Sequence, residues 1–248
     1  MSVLTKGYLR ELRFERERVE SFAEYPFSIP VVKNLDRLEF HPNVTFLVGE
    51  NGTGKSTILE AIAYALRLNP EGGTRNSTFS TSETHSELFD YIHLIKNLLT
   101  PKDLYFLRAE SFYNLASYME RDGRTEYLRG YGGKSLHAQS HGESFLSVLN
   151  HKLTGNGLYL FDEPEAALSP TRQLSALSLI HRLVNKNSQF IIATHSPIIL
   201  AYPNCALYML SANGIEKTNY QDTEHYTVTK EFLNRPEKML SILFDEEE

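Results

Sequence analysis

From Val44 to Ile58 the chain reads VTFLVGENGTGKSTI, a short apolar run that breaks into glycine-rich polar sequence and then restarts with helical character. Gly49, Gly54, Lys55 and Ser56 fit the spacing G-x-x-x-x-G-K-[ST], a loop that binds phosphate between a strand and a helix. The residue types follow from that chemistry. Backbone N–H groups converge on phosphate oxygens only where the chain tolerates positive φ, which Gly49, Gly52 and Gly54 permit. The helix opened by Gly54 adds its positive N-terminal end. Lys55 can reach the β- and γ-phosphates, and the Ser56 hydroxyl is placed to ligate magnesium. The pattern predicts a buried parallel strand over 44–48 and a helix over 56–68.

A strand of that kind needs a sheet around it. The 248 residues suit one α/β domain with two lobes and a sizeable core. A formal net charge of -6, with part of the acid in the run Asp245 to Glu248, argues against generic adhesion to nucleic acid or anionic membrane. Cys205 stands alone, which excludes an intramolecular disulfide and a Cys-based zinc site and is compatible with a reducing cytosol. The N-terminal stretch MSVLTKGYLRELRFERERVE is charged throughout and has no apolar signal region. Apolar stretches elsewhere are too short and too interrupted to span a bilayer, so the expectation is a cytoplasmic protein with no membrane insertion.

In chain order, Tyr8 to Glu20 satisfies neither a period of 2 nor of 3.6 and is read as a strand. Tyr25 to Pro30 holds two prolines and reads as an extended connection, with Leu35 to Phe40 as an edge strand beyond it. Asn69 to Thr84 reads as a long surface loop. Tyr91 to Leu99 is apolar but too short to assign by period. Leu104 to Leu107 reads as a buried strand, Glu110 to Arg121 as a helix, and Asp122 to Ser140 as polar and glycine-bearing. The second half is more regular: a helix over Glu143 to Leu153, a strand over Leu158 to Phe161, a helix over Thr171 to Asn187 and a strand over Phe190 to Ala193. A hairpin from Cys205 to Lys217 and a helical tail from Glu224 to Phe244 complete it. Strands alternating with helices imply a mostly parallel sheet flanked by helices.

Two constellations follow the loop. LYLFDEPEAALSP, from Leu158 to Pro170, is an apolar strand with carboxylates at its C-terminal edge. Asp162 would hold magnesium through water, and Glu163 would orient or deprotonate the attacking water. Thr194-His195-Ser196-Pro197 follows the next buried strand, so an imidazole sits at the carboxyl end of a strand, where open α/β sheets bind ligands. His195 could there hydrogen-bond a γ-phosphate. The basic residues Lys96, Lys102, Arg108, Arg121, Arg124, Arg129 and Lys134 are interleaved with acids and read as a solvated surface.

The ordered set GENGTGKS, SHGES, DEP, ALSP and THS resembles the ATP-binding cassette (ABC) ATPases, and is similar above all to small soluble AAA-type ATPases grouped with SMC-like and RecF-like proteins. The resemblance implies an α/β P-loop NTPase of ABC type with a core lobe over about 1–85 and 155–248 and a smaller signature lobe over about 86–154. It implies ATP and Mg2+ as cofactors and an ATP-dependent homodimer that encloses two nucleotides. Glu50, Asn51, Thr53 and Thr57 would then join Gly49, Gly52, Gly54, Lys55 and Ser56 around the phosphates. Ser140, Gly142 and Glu143 would act as the signature that closes over ATP from the second subunit. Glu110 would take the Q-loop's place beside the metal, and Tyr25 or Phe27 would stack on adenine. His141 stands where the common signature has Gly, and Ser169 where many D-loops have Asp.

Three functions compete on the sequence. One is a soluble ABC-type ATPase acting on DNA or a protein partner in repair, chromosome maintenance or phage defence. Another is the nucleotide-binding subunit of a membrane transporter. The third, a GTPase or small-molecule kinase, fits less well, because Asn185-Lys186-Asn187-Ser188 lacks the Asp that guanine readers place after N-K-x.

Overall fold

The computed structural model describes residues 7–69, 72–73, 86–109 and 141–244. The expected helix from Glu110, the stretch to Ser140 and most of the loop after Asn69 lie outside the described residues. Two sheets carry the fold. Strands β1 (Leu9–Phe14), β2 (Arg37–Glu39) and β4 (Ile92–Lys96) form an antiparallel sheet in the order β2-β1-β4. The larger sheet holds β3 (Val44–Val48), β5 (Asp103–Arg108), β6 (Gly157–Asp162), β7 (Gln189–Ala193), β8 (Ala206–Ser211) and β9 (Gly214–Lys217) in the order β5-β6-β7-β3-β8-β9. Its members run parallel except β9, which returns antiparallel on β8 as the expected hairpin.

Every residue of β3, β6 and β7 is buried, as strands covered on both faces must be. Their alternate side chains feed two cores. Leu47, Leu158, Leu160, Ile191 and Ala193 point to one core. Helix α2 (Lys55–Ala65) fills it with Ile58, Leu59 and Ile62, and the antiparallel sheet closes it with Leu9, Leu12, Leu38 and Ile92. Phe46, Val48, Tyr159, Phe161, Phe190 and Ile192 point to the other. Helix α3 (His141–Ser147), which runs into a π-turn over Val148–Lys152, and helix α4 (Pro170–Val184) cover it with Phe145, Leu149, Ile180 and Leu183. Burial of each such side chain contributes about 1.5–3 kcal/mol.

Several expectations change. The edge strand expected over Leu35 to Phe40 is present but shorter, as β2, which lies at the edge of the antiparallel sheet and pairs with β1. The strand expected over Tyr8 to Glu20 stops at Phe14 and gives way to a 3-10 turn at Arg16–Arg18. Tyr25 to Pro30 forms turns, with Ser28 N donating to Glu24 O, and leads into helix α1 (Pro30–Lys33). Strands β4 and β5, which the sequence reading places in the smaller lobe, belong to the two sheets. The chain then continues through α5 (Pro197–Leu200), α6 (Glu224–Asn234) and α7 (Pro236–Phe244). Among the described residues no helix is long and apolar enough to cross a membrane.

Candidate functional site

Strand β3 ends at Val48, and the chain turns at once through Gly49, whose φ is 156°. A Cβ there would lie 2.3 Å from the Leu210 carbonyl oxygen of β8, so only glycine lets the loop pass the neighbouring strand. Gly54 caps α2 in the left-handed region, φ 100°, and turns the helix's first N–H groups toward the loop. Lys55 is 3 % exposed and folds back over this loop, its Nζ donating at 2.8 Å to the carbonyls of Gly49 and Glu50. Burial pushes its ammonium below the usual lysine range, against the pull of Glu163, Asp162 and Glu165.

Parallel pairing sets the other half of the site. Registers Phe161↔Ile192 and Asp162↔Ala193 place the acidic edge of β6 beside the end of β7, and Leu47↔Ala193 aligns β3 with both. Ser56 Oγ therefore donates to Asp162 Oδ1 at 3.0 Å across 106 residues of sequence. A side-chain hydroxyl and a carboxylate joined at a helix N-terminus are oxygen donors of the kind magnesium takes. These two residues fit the ion. Arg108, at the end of β5, brings Nε to 3.6 Å from Asp162 Oδ2 and Nη1 to 3.4 Å from Glu60 Oε2. Arg108 is thus part of the site and not the solvated surface expected, because pairing with β6 carries its side chain to the acidic edge.

Past Asp162 the chain bends sharply. Glu163 adopts φ 49°, ψ 53°, and a 3-10 turn, Pro164–Ala167, follows. His195 Nε2 stands 3.4 Å from Glu163 Oε1. Glu165 Oε1 accepts from the His195 backbone N–H, and burial pushes the Glu165 carboxyl above its usual range. Ser196 caps α5, its Oγ accepting from Ile198 N and Ile199 N while it donates to Gln173 Oε1, so the loop carrying His195 is held on both sides. His225, from α6, places Nε2 3.0 Å from His195 Nδ1. Glu50, Asn51, Glu163, Glu165, His195 and His225 line one open cleft of about 600 Å³ at the carboxyl ends of the strands. A second cavity, about 400 Å³, lies at the opposite ends of the strands, beside Tyr8, Asn43, Asn156 and Ser188.

The structure brings together Gly49, Glu50, Asn51, Lys55, Ser56, Asp162, Glu163 and His195. Glu110 and Ser140 lie outside the described residues. Gly142 is buried against its own chain: a Cβ would meet Ala167 O at 2.8 Å and Arg172 Nη1 at 2.6 Å. Glu143 Oε1 pairs with Arg172 Nη2 at 3.3 Å. Phe27 is unavailable for adenine stacking, being packed in the core with its ring centroid 4.7 Å from that of Tyr91. Tyr25 is 63 % exposed. Sequence reasoning missed Arg108, Glu165 and His225. Glu165 stands in the acidic turn that the motif already marks, whereas nothing near Arg108 or His225 in the sequence announces their partners.

Fold and site together are similar to those of P-loop ATPases of the ABC type, as the motif resemblance implies. Residues 18–117 match the family model described as AAA domain. The chain is 25% identical over 215 residues to the macrolide export ATP-binding/permease protein MacB of Marinobacter nauticus, covering 80% of this chain and 33% of that protein. It is 32% identical over 102 residues to the structural maintenance of chromosomes protein 6 of Takifugu rubripes, covering 41% of this chain and 9% of that protein. The chain spans about a third of the length of the MacB proteins it matches. A solved ABC transporter of metal-chelate type in an inward-facing conformation superposes with a TM-score of 0.50 at 14% identity, covering 90% of this chain and 88% of that one. That likeness concerns the fold.

Proposed function

We propose that this chain binds ATP with magnesium and hydrolyses its β–γ phosphoanhydride, and that ATP closes two copies into a dimer. The observation that carries the reading is the 3.0 Å contact between Ser56 Oγ and Asp162 Oδ1, which joins the phosphate loop to the acidic strand edge. The N–H groups from Gly49 to Thr57 cradle the phosphates, and Lys55 exchanges its loop carbonyls for phosphate oxygens. Ser56 and Asp162 hold the metal, with Glu110 as a further ligand. Magnesium bound there neutralises charge on the β- and γ-phosphates. Glu50, Glu163 and Glu165 line the cleft, so a polyphosphate meets carboxylates there and a divalent cation offsets the repulsion.

Glu163 orients a water molecule and accepts its proton as the oxygen attacks the γ-phosphorus and the bond to the β-phosphate oxygen breaks. His195 donates a hydrogen bond to the departing γ-phosphoryl group. Ser140, Gly142 and Glu143 of a second copy cover the nucleotide. Glu163→Gln keeps shape and reach but loses basicity, so ATP stays bound and stabilises the dimer by mass action. Sedimentation of Glu163→Gln with and without ATP tests this: a dimer only with ATP supports the reading, and an unchanged mass at saturating ATP removes it. Lys55→Ala retaining ATP affinity would remove the phosphate loop's part in it.

The dimer's further partner is DNA or a protein, in keeping with the similarity to the SMC protein. A second reading, the nucleotide-binding part of a membrane transporter, is favoured by the similarity to MacB. Stimulation of ATP turnover by duplex or single-stranded DNA separates the two.

A further inference from the structure

Helix α6 brings a second imidazole to the cleft. His225 Nε2 and His195 Nδ1 are 3.0 Å apart, with ring centroids 5.2 Å apart and planes inclined at 47°. The start of α6 is fixed independently: Thr223, fully buried, caps it by accepting from Tyr226 N, and Tyr220 Oη donates to Pro197 O of α5 at 2.8 Å. Burial lowers the proton affinity of both rings, with Lys55 adding to the effect at His195 and His195 itself at His225. Two neutral rings share one hydrogen bond, and only one of the facing nitrogens carries its proton.

The far side of His195 decides which. Its Nε2 faces Glu163 Oε1 at 3.4 Å, and an ionised carboxylate only accepts. A bare Nε2 would set lone pair against lone pair, so Nε2 carries the hydrogen and Nδ1 accepts. His225 must then donate from Nε2. His195 Nε2 and His225 Nδ1 are both buried with no hydrogen-bond partner among the described residues, but only His195 Nε2 faces an acceptor, Glu163 Oε1 at 3.4 Å. The proton therefore belongs there and His225 Nδ1 is left as the bare nitrogen, an unmet acceptor being better tolerated in an interior than an unmet N–H.

We infer that His225 is a positioning residue, its Nε2–H donated to Nδ1 so that His195 keeps its other proton on Nε2, pointed at Glu163 and the γ-phosphate. The catalytic consequence rests on the ATPase reading; the tautomer does not. Without the donor on α6 the ring is free to rotate or to present a lone pair to a phosphate oxygen.

The test uses the full chain with 15N-labelled histidine at pH 7.5 and without nucleotide, with resonances assigned through His195→Gln. The expected spectrum has His195 protonated at Nε2, with the Nδ1–H form gaining population in His225→Ala. His225→Gln, whose amide can donate to Nδ1, recovers the Nε2–H form. In ATP turnover, His225→Ala lowers kcat about tenfold to a hundredfold, the loss typical when the partner orienting a functional histidine is removed, with KM within about twofold. His225→Gln recovers most of the rate. A wild-type His195 protonated at Nδ1, or a His225→Ala spectrum with the Nε2–H form intact, overturns the proposal. A wild-type chain that hydrolyses no ATP defeats the ATPase reading and leaves the spectra to decide the tautomer.

Discussion

Glu163 is held at φ 49°, ψ 53°, a conformation that costs an L-residue with a Cβ roughly 1 kcal/mol and that glycine accepts freely. Among the described residues the other non-glycine positions with positive φ are Asn156, Asn187 and Asn204, a type whose short amide tolerates it, together with Arg67. A glutamate there has no local reason. Its carboxylate belongs where the bend aims it, toward His195. Comparing Glu163→Gly with Glu163→Ala separates backbone from side chain, since both lack the carboxylate and only alanine keeps the strained Cβ. Glu163→Gly is expected to be the more stable by about 1 kcal/mol in urea unfolding, the reverse of the order found inside helices and strands. Neither variant should turn over ATP.

At the scale of elements, the contact between α6 and the loop after β7 should be visible in the pH dependence of stability. Folded His195 and His225 both bind protons less readily than in the unfolded chain, chiefly through burial. As pH falls through about 6.5 the unfolded chain takes up protons first, so this contribution is complete above that value and lost below it. Glu165, shifted the other way, opposes the trend, because its ionised form is the one the fold disfavours. The melting temperature of the wild type should therefore fall between pH 7.5 and 5.5, and more steeply than that of His195→Gln/His225→Gln. Equal slopes would mean the two rings do not titrate with folding.

The same elements show what a sequence can carry. Strands β3, β6 and β7 are legible because burial on both faces demands unbroken apolar runs, and their motifs lie at their ends. Strand β1 is obscured by a register irregularity between Leu9 and Glu11, which makes its burial alternate imperfectly, and by Glu11, buried yet paired with Arg13 at 2.7 Å. The helix expected over Glu143 to Leu153 departs into a π-turn at Val148, for which composition offers no sign. Arg108 and His225 are illegible for one reason: each is defined by a partner brought near by sheet register or helix docking, 54 and 30 positions away.

Across the whole molecule one amide ties the sheets together. Gln189, fully buried at the start of β7, accepts from Tyr8 N at 2.7 Å and Leu9 N at 2.8 Å and donates to Leu9 O at 2.7 Å and His41 O at 3.0 Å. Gln189→Leu leaves those main-chain groups unmet at about 1–3 kcal/mol each, so destabilisation above about 3 kcal/mol is expected in urea unfolding. The strand order has a consequence in time. β3 lies between β7 and β8, both made long after it, so at ordinary synthesis rates the phosphate loop emerges on the order of ten seconds before either neighbouring strand. During that interval a strand that is buried on both faces in the folded chain stands open at both edges on the ribosome. Nascent chains halted at Asn187 should carry every residue from Gly49 to Thr57 and Asp162 with Glu163, yet fail to retain ATP on a filter, while chains released past Lys217 retain it.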